Sequence, residues 1–174
     1  MVSFCRSGPR RGWALWTVLA TCALSAAPAV GTAAPGDHAA KRAPAQARVP
    51  VAHIDPDPDP APVGGNVTVH ILLANKGPAR TASPFTVTVN MPDNTTATGP
   101  FFPDSCLADP LGATITCAFP AGLNNLRTAI VNIPAQIAAS APPHSKLRDG
   151  SVTVTNPDDP DAKIRTVKFT IRTA

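Results

Sequence analysis

From Gly64 to Pro78 the chain reads Gly64-Gly65-Asn66-Val67-Thr68-Val69-His70-Ile71-Leu72-Leu73-Ala74-Asn75-Lys76-Gly77-Pro78. Val67, Val69, Ile71 and Leu73 fall on one phase of a two-residue period, and Thr68, His70, Leu72 and Ala74 fall on the other. Successive side chains of an extended chain point to opposite faces, so the stretch predicts a strand with one buried face. Turn-forming residues at Gly64-Gly65 and Asn75 to Pro78 bound it at both ends.

The same period recurs downstream. Phe85 to Asn90 aligns Phe85, Val87 and Val89, and Ala113 to Phe119 aligns Ile115, Cys117 and Phe119. Thr128 to Ile133 aligns Ala129, Val131 and Ile133, while Ser151 to Thr155 and Thr166 to Arg172 place Val152, Val154, Val167, Phe169 and Ile171 inward. A first strand over Val49 to Ile54 precedes Asp55-Pro56-Asp57-Pro58-Asp59-Pro60-Ala61-Pro62. There the prolines remove ladder donors and fix an extended segment suited to an edge crossing between sheets. Asn156 to Lys163 is a hairpin connection dense in turn formers. Seven strands with regularly spaced turns predict an all-β Greek-key sandwich. The one helix candidate, Pro134 to Ser140, is too short and too flanked by proline to count as a helix.

The first third of the 174-residue chain reads differently. Arg6, Arg10 and Arg11 form a basic start, Ala14 to Ala23 an apolar run, and small residues follow, so 1–34 is expected to be an export signal. Ala27-Pro28-Ala29 and Gly31 to Ala34 both offer cleavage sites, and the cut is placed between Ala29 and Ala34. The apolar run is well short of the roughly 20 residues of a spanning helix. Cys22 would instead carry a lipid if Leu19 to Cys22 served as a lipoprotein box, and Arg10-Arg11 leaves twin-arginine export open. Residues 35–48, rich in Ala, Pro and charge and without periodicity, read as a disordered linker, and the domain is expected over 49–174.

The formal charge of +4 belongs to the leader and linker. From Val49 onward nine Lys plus Arg face ten Asp and no Glu, so composition shows no basic face for nucleic acid or anionic membrane. Cys5 and Cys22 leave with the signal, and Cys106 and Cys117 remain as an even pair in an oxidising compartment, which predicts a disulfide. Cys117 shares parity with Ile115 and Phe119, which puts that bond on the buried side.

Pro62-Val63-Gly64-Gly65 before a Thr-rich strand, Ala74-Asn75-Lys76-Gly77-Pro78 at its end and Met91-Pro92 closing the next strand resemble the DUF11 repeat family. Thr114-Ile115-Thr116-Cys117 and Asn156 to Asp161 fit the same pattern. The resemblance covers Val49 to Ala174 and implies an immunoglobulin-like module of bacterial surface and secreted proteins, with no catalytic residues. Val69 stands where the family usually has an aromatic, and Met91 where it has Leu. The family occurs largely as tandem repeats, and this chain carries one copy, so a spacer role transfers poorly.

The residues with chemistry are few. Asp55, Asp57 and Asp59 alternate as in calcium loops, but the intervening prolines oppose the curl around an ion, and Asp158, Asp159 and Asp161 fit ordinary turn chemistry. No metal and no cofactor is expected. His38, His53, His70 and His144 read as solvated, and His144-Ser145 point apart on an extended chain, so no nucleophile pair forms. Trp13 and Trp16 lie in the signal and the chain has no Tyr, which removes the usual platforms for sugar rings. Phe101-Phe102, between Pro100 and Pro103, cannot both point inward if extended. Either one is exposed as a contact surface beside the disulfide loop, or both pack under their own loop. The expectation is a secreted, non-catalytic module that meets an extracellular protein or cell-envelope component, with a small-ligand carrier using a cleft at one end of the sandwich as the alternative.

Overall fold

Each alternating stretch forms a strand in the computed structural model, which describes residues 46–159 and 165–174. The expected export signal, linker residues 35–45, His38 and Asp161 lie outside the described residues. The strands are β1 (Val51–Asp57), β2 (Asn66–Ala74), β3 (Phe85–Asn90), β4 (Thr95–Ala97), β5 (Cys106–Ala108), β6 (Thr114–Phe119), β7 (Thr128–Ile137), β8 (Lys146–Thr155) and β9 (Arg165–Arg172). They form a four-stranded sheet ordered β1-β2-β7-β4 and a five-stranded sheet ordered β5-β6-β3-β8-β9, with every pairing antiparallel.

The inward phase of the sequence is the core. Val67, Val69, Ile71 and Leu73 of β2, with Val131 and Ile133 beside them on β7, join Val87 and Val89 of β3 and Ile115 and Cys117 of β6 from the other sheet in one cluster of buried residues. Burying a Val, Ile or Leu side chain contributes about 1.5–3 kcal/mol each, so β-branched residues at alternate positions serve both strand geometry and burial. Phe85 and Phe119 stack with centroids 4.9 Å apart at one end of this cluster.

Three expectations are corrected, and Pro134 to Ser140 forms no helix, as its shortness and prolines implied. There are nine strands among the described residues rather than about seven. The additional two, β4 and β5, have three residues each, too few to show a period. The stretch beginning at Pro134 is the end of β7. Pro134 accepts from Thr98 N–H through its carbonyl at 2.9 Å, so its missing donor faces the side where β4 has just ended. Val167 shares the inward phase but is 38% exposed, because it lines an open groove between the edge strands β1 and β9. Finally, residues 46–48 are packed rather than loose, with Ala47 buried and the Arg48 carbonyl accepting from Lys76 N–H at 2.7 Å.

The proline segment crosses between sheets as its composition predicts. β1 pairs with β2 up to Asp57, and Pro56 is tolerated because β1 is an edge strand. The chain then reaches the other sheet, where Ala61 N–H donates to the Arg172 carbonyl at 2.8 Å and Ala174 N–H donates to Ala61 at 2.8 Å. Arg172 fixes the crossing with a two-pronged contact on Asp59, Nε to Oδ1 at 2.9 Å and Nη2 to Oδ2 at 2.8 Å. On the opposite side Ala97 N–H donates to the Gly112 carbonyl at 2.9 Å, tying β4 to the β5–β6 turn. Gly112 has φ +65°, and a Cβ there would stand 2.7 Å from Thr96 Cγ2, so glycine is required twice over.

Two carboxylates hold loops and make stability pH-dependent. The hydrogen bonds from Arg172 set Asp59 below the usual carboxylate value of 3.8, against a smaller opposing effect of burial. At Asp158 burial pushes upward, but the N–H and hydroxyl of Ser83 and the N–H of Ala82 outweigh it and leave the group lowered. Asp158 Oδ2 accepts from Ala82 N–H at 2.6 Å and from Ser83 N–H at 2.9 Å. A carboxyl with a lowered folded pKa adds stability that is complete above its unfolded pKa and is lost as pH falls through the folded one. Urea midpoints are therefore expected to hold steady down to about pH 5 and fall below about pH 4. Asp158→Ala should lower the midpoint at pH 7 and flatten the acid limb, and an unchanged limb would refute the assignment.

Candidate functional site

The outward phase of the four-stranded sheet collects the exposed side chains that sequence reasoning left unassigned. Register fixes who meets whom. Asp55 of β1 lies opposite His70 of β2, and His70 lies opposite Asn132 of β7. Asn132 forms a two-way backbone bridge with Phe102, Phe102 N–H to the Asn132 carbonyl at 3.1 Å and Asn132 N–H to the Phe102 carbonyl at 2.8 Å. One row therefore runs Asp55, His70, Asn132, Phe102 across the sheet, and a second runs His53, Leu72, Ile130 beside it.

Within the first row His70 Nδ1 and Asn132 Oδ1 are 2.9 Å apart, with Nδ1 as the donor to the amide oxygen. Around this polar centre Phe102 is 55% exposed, Ile130 is 46% exposed and Leu72 is half-buried. A shallow groove follows the rows, lined by His53, Asp55, His70, Leu72, Ile130 and Asn132. The face has a His, an amide and a carboxylate, with Thr68 two residues from His70 on the same outward phase of β2. It offers apolar contact around a pair of oriented polar groups, which is the composition of a binding surface.

The two phenylalanines separate as the extended chain requires. Phe101 packs against the core and is half-buried, while Phe102 projects outward. Only Phe102 therefore contributes to the surface expected of the pair. Cys106 and Cys117 are bonded and lie directly opposite each other in β5 and β6, 5% and 0% exposed. That bond anchors the loop carrying both phenylalanines. Sequence reasoning placed Leu72 outward but missed Ile130 and Asn132 as partners. The outward phase of β7 was available, yet its neighbours are set by pairing with β2 and by the Phe102 bridge.

The remaining residues with chemical capacity serve the fold. Ser145 donates its hydroxyl to the Pro142 carbonyl at 2.7 Å, beside Thr173, and His144 N–H donates to the Ala174 carbonyl at 3.4 Å. His53 lies opposite Leu72 rather than His70. Among the described residues, no three His, Cys, Asp or Glu side chains come together as a metal site, and no helix is long and apolar enough to cross a membrane. At one end of the sandwich Phe85, Phe119, Leu123 and Ala129 line a recess of about 230 Å³. Ligand sites usually span about 300–1,000 Å³, so this end cleft is small for a carrier.

The rim at Asn75 is a structural knot. Asn75 is fully buried; Oδ1 accepts from Arg48 N–H at 3.2 Å and Gly77 N–H at 3.0 Å, and Nδ2 donates to the carbonyls of Ala79 at 2.8 Å and Leu123 at 2.9 Å.

No protein-family model matches the chain, and no curated protein matches it. Among solved structures it is similar to the major pilin subunit BcpA of Bacillus cereus, with TM-score 0.52 and 11% identity over 72% of this chain and 40% of that one. The chain thus spans about two-fifths of that pilin subunit. It is also similar to the RrgA Jo.In complex (TM-score 0.48, 9% identity, 74% of this chain and 79% of that one). A third similarity is to a collagen-binding domain from a Staphylococcus aureus adhesin (TM-score 0.40, 12% identity, 61% and 88%). At such identities the likeness is one of fold. The spatial orders β1-β2-β7-β4 and β9-β8-β3-β6-β5 resemble the two sheets of an immunoglobulin variable-type sandwich, but β4 precedes β5 and β6 in the chain, and the outermost β5 precedes β6, which lies next to β3. The chain is an all-β, immunoglobulin-like sandwich.

Proposed function

We propose that this chain is a non-catalytic, exported immunoglobulin-like module that binds a protein or other component of the bacterial cell exterior through the outer face of its four-stranded sheet. The observation that carries the proposal is the row ending in Phe102, where exposed Phe102 and Ile130 flank a His70–Asn132 pair. The buried disulfide suits an oxidising compartment. The DUF11 resemblance and the pilin of like fold both point to surface proteins, and they support the reading at the level of fold and setting. The interaction module is preferred to the carrier because the exposed face is broad while the end recess is small.

The test is binding of labelled, processed protein to intact cells and envelope fractions of its own source. Saturable binding is expected, weakened roughly 30- to 1,000-fold by Phe102→Ser with Ile130→Thr, since two exposed anchors of about 1–2 kcal/mol each are removed. Phe101 stays in place because its loss would disturb the core. Undiminished binding by a folded double variant would defeat the surface assignment. Turnover in a hydrolase panel that survives purification and maps to one residue would defeat the non-catalytic one.

A further inference from the structure

The strands β8 and β9 gather cations that are dispersed in the sequence. Lys146 lies opposite Arg172, and Lys168 lies opposite Ser151. Between Leu147 and Gly150 the register shifts, and Asp149 takes φ +69°, so β8 bulges and re-aims Arg148. Gly150 permits the bulge to sit down on the sheet, because a Cβ there would stand 2.8 Å from the Phe169 ring. The result is a recess of about 500 Å³ lined by Lys146, Arg148, Asp149, Lys168, Phe169 and Thr170.

Three cations line this recess against one carboxylate. Lys168 Nζ is 3.7 Å from Asp149 Oδ1, a loose and fully solvated contact that neutralises little. Arg172 is committed to Asp59, while Lys146 and Arg148 have no carboxylate within ion-pair distance among the described residues. Beside the charges stand hydroxyls: Thr170 in the lining, Ser151 opposite Lys168, and Thr153 hydrogen-bonded to Thr166 at 2.9 Å.

We infer that the β8–β9 recess binds an anionic polysaccharide, with Lys146, Arg148 and Lys168 on its acid groups and the adjoining Thr and Ser side chains on its hydroxyls. Hydroxyls standing beside the cations suit a chain whose units carry acid and hydroxyl groups together. A nucleic acid would call for a longer basic stripe and exposed aromatic platforms, and Phe169 is 8% exposed beneath the bulge. The inference rests on the proposed exterior role but uses a different sheet from the Phe102 face.

The experiment titrates the processed protein with polygalacturonate oligomers, with neutral dextran and single-stranded DNA of matched charge as the other arms. Binding to polygalacturonate is expected, weakening roughly 20-fold as salt rises from about 50 to about 200 mM, as release of counter-ions from about three contacts requires. Lys146→Gln with Arg148→Gln should weaken it at least tenfold with an unchanged melting temperature, since both side chains are exposed. Absence of binding at low salt, equal binding to dextran, tighter binding to DNA, or full binding by the double variant would each overturn the inference. The Phe102→Ser, Ile130→Thr protein should bind polygalacturonate as wild type does, which separates failure of this site from failure of the Phe102 surface.

Discussion

Asn75→Ala is expected to lower the unfolding free energy by about 3–5 kcal/mol, the largest single loss available outside the hydrophobic core. The amide makes four hydrogen bonds to main-chain groups of Arg48, Gly77, Ala79 and Leu123 while wholly shielded from water. Alanine removes all four, taking their partner from the Gly77 N–H and the Ala79 carbonyl and one of the two donors from the Leu123 carbonyl, which keeps Thr81 N–H at 3.0 Å. Each buried main-chain group left unpaired costs about 1–3 kcal/mol, and partial access of water to the flanking groups keeps the sum below the upper limit. Asn75→Asp is expected to fall between alanine and wild type, because it retains the Oδ1 acceptor but turns a second oxygen toward two carbonyls. Urea unfolding with a constant m-value measures the difference, and Lys76→Ala, at an exposed neighbour, should stay within about 0.5 kcal/mol. A loss below 1 kcal/mol at Asn75 would mean the four contacts contribute no more than surface ones.

That knot separates what the chain announces locally from what only pairing creates. Asn75 was legible as a turn former, since Asn-Lys-Gly-Pro ends a strand by its own chemistry. Its role as a hub was not, because two of its partners stand 27 and 48 residues away. The same distinction runs through the strands. Alternation marked the buried face of β2, β3, β6 and β8 because period and burial are one geometric fact. β4 and β5 escaped because three residues carry no period and are held by neighbours, Ala97 by Gly112 and Cys106 by Cys117.

The candidate surfaces follow this rule too. Pro100-Phe101-Phe102-Pro103 showed that the rings must diverge, but which one points outward depended on the bridge to Asn132. The cationic recess was invisible to charge counting, which gave a near-neutral domain. Lys146 and Arg148 meet Lys168 only through the β8–β9 ladder, and a bulge with Gly150 over Phe169 shapes the recess. Net charge averages over the surface, whereas a binding face depends on the few groups that a sheet brings together.

Removing the disulfide as Cys106→Ala with Cys117→Ala is expected to cost about 2–3 kcal/mol, and the reason bears on the Phe102 surface as well as on stability. The bond closes a loop with a separation of 11 residues, for which chain entropy alone gives about 3 kcal/mol. The two cysteines already face each other across the β5–β6 ladder, so part of that constraint is shared with the hairpin. Yet β5 is a three-residue edge strand with Leu107 and Ala108 exposed, and Cys106 is its one buried side chain. Without the bond, β5 has little to hold it, and the segment from Gly99 to Ser105 that presents Phe102 loses its downstream anchor. The double variant should therefore unfold at lower urea and should also show faster amide exchange at Phe102 and Cys106, whose N–H groups donate to Asn132 and Pro103. Slow exchange at Phe102 in a destabilised variant would show that the Asn132 bridge alone orders that surface. In the native protein both sulfurs are shielded, so a thiol reductant should open the bond only after urea has exposed it; ready reduction in buffer would show that β5 already opens on its own.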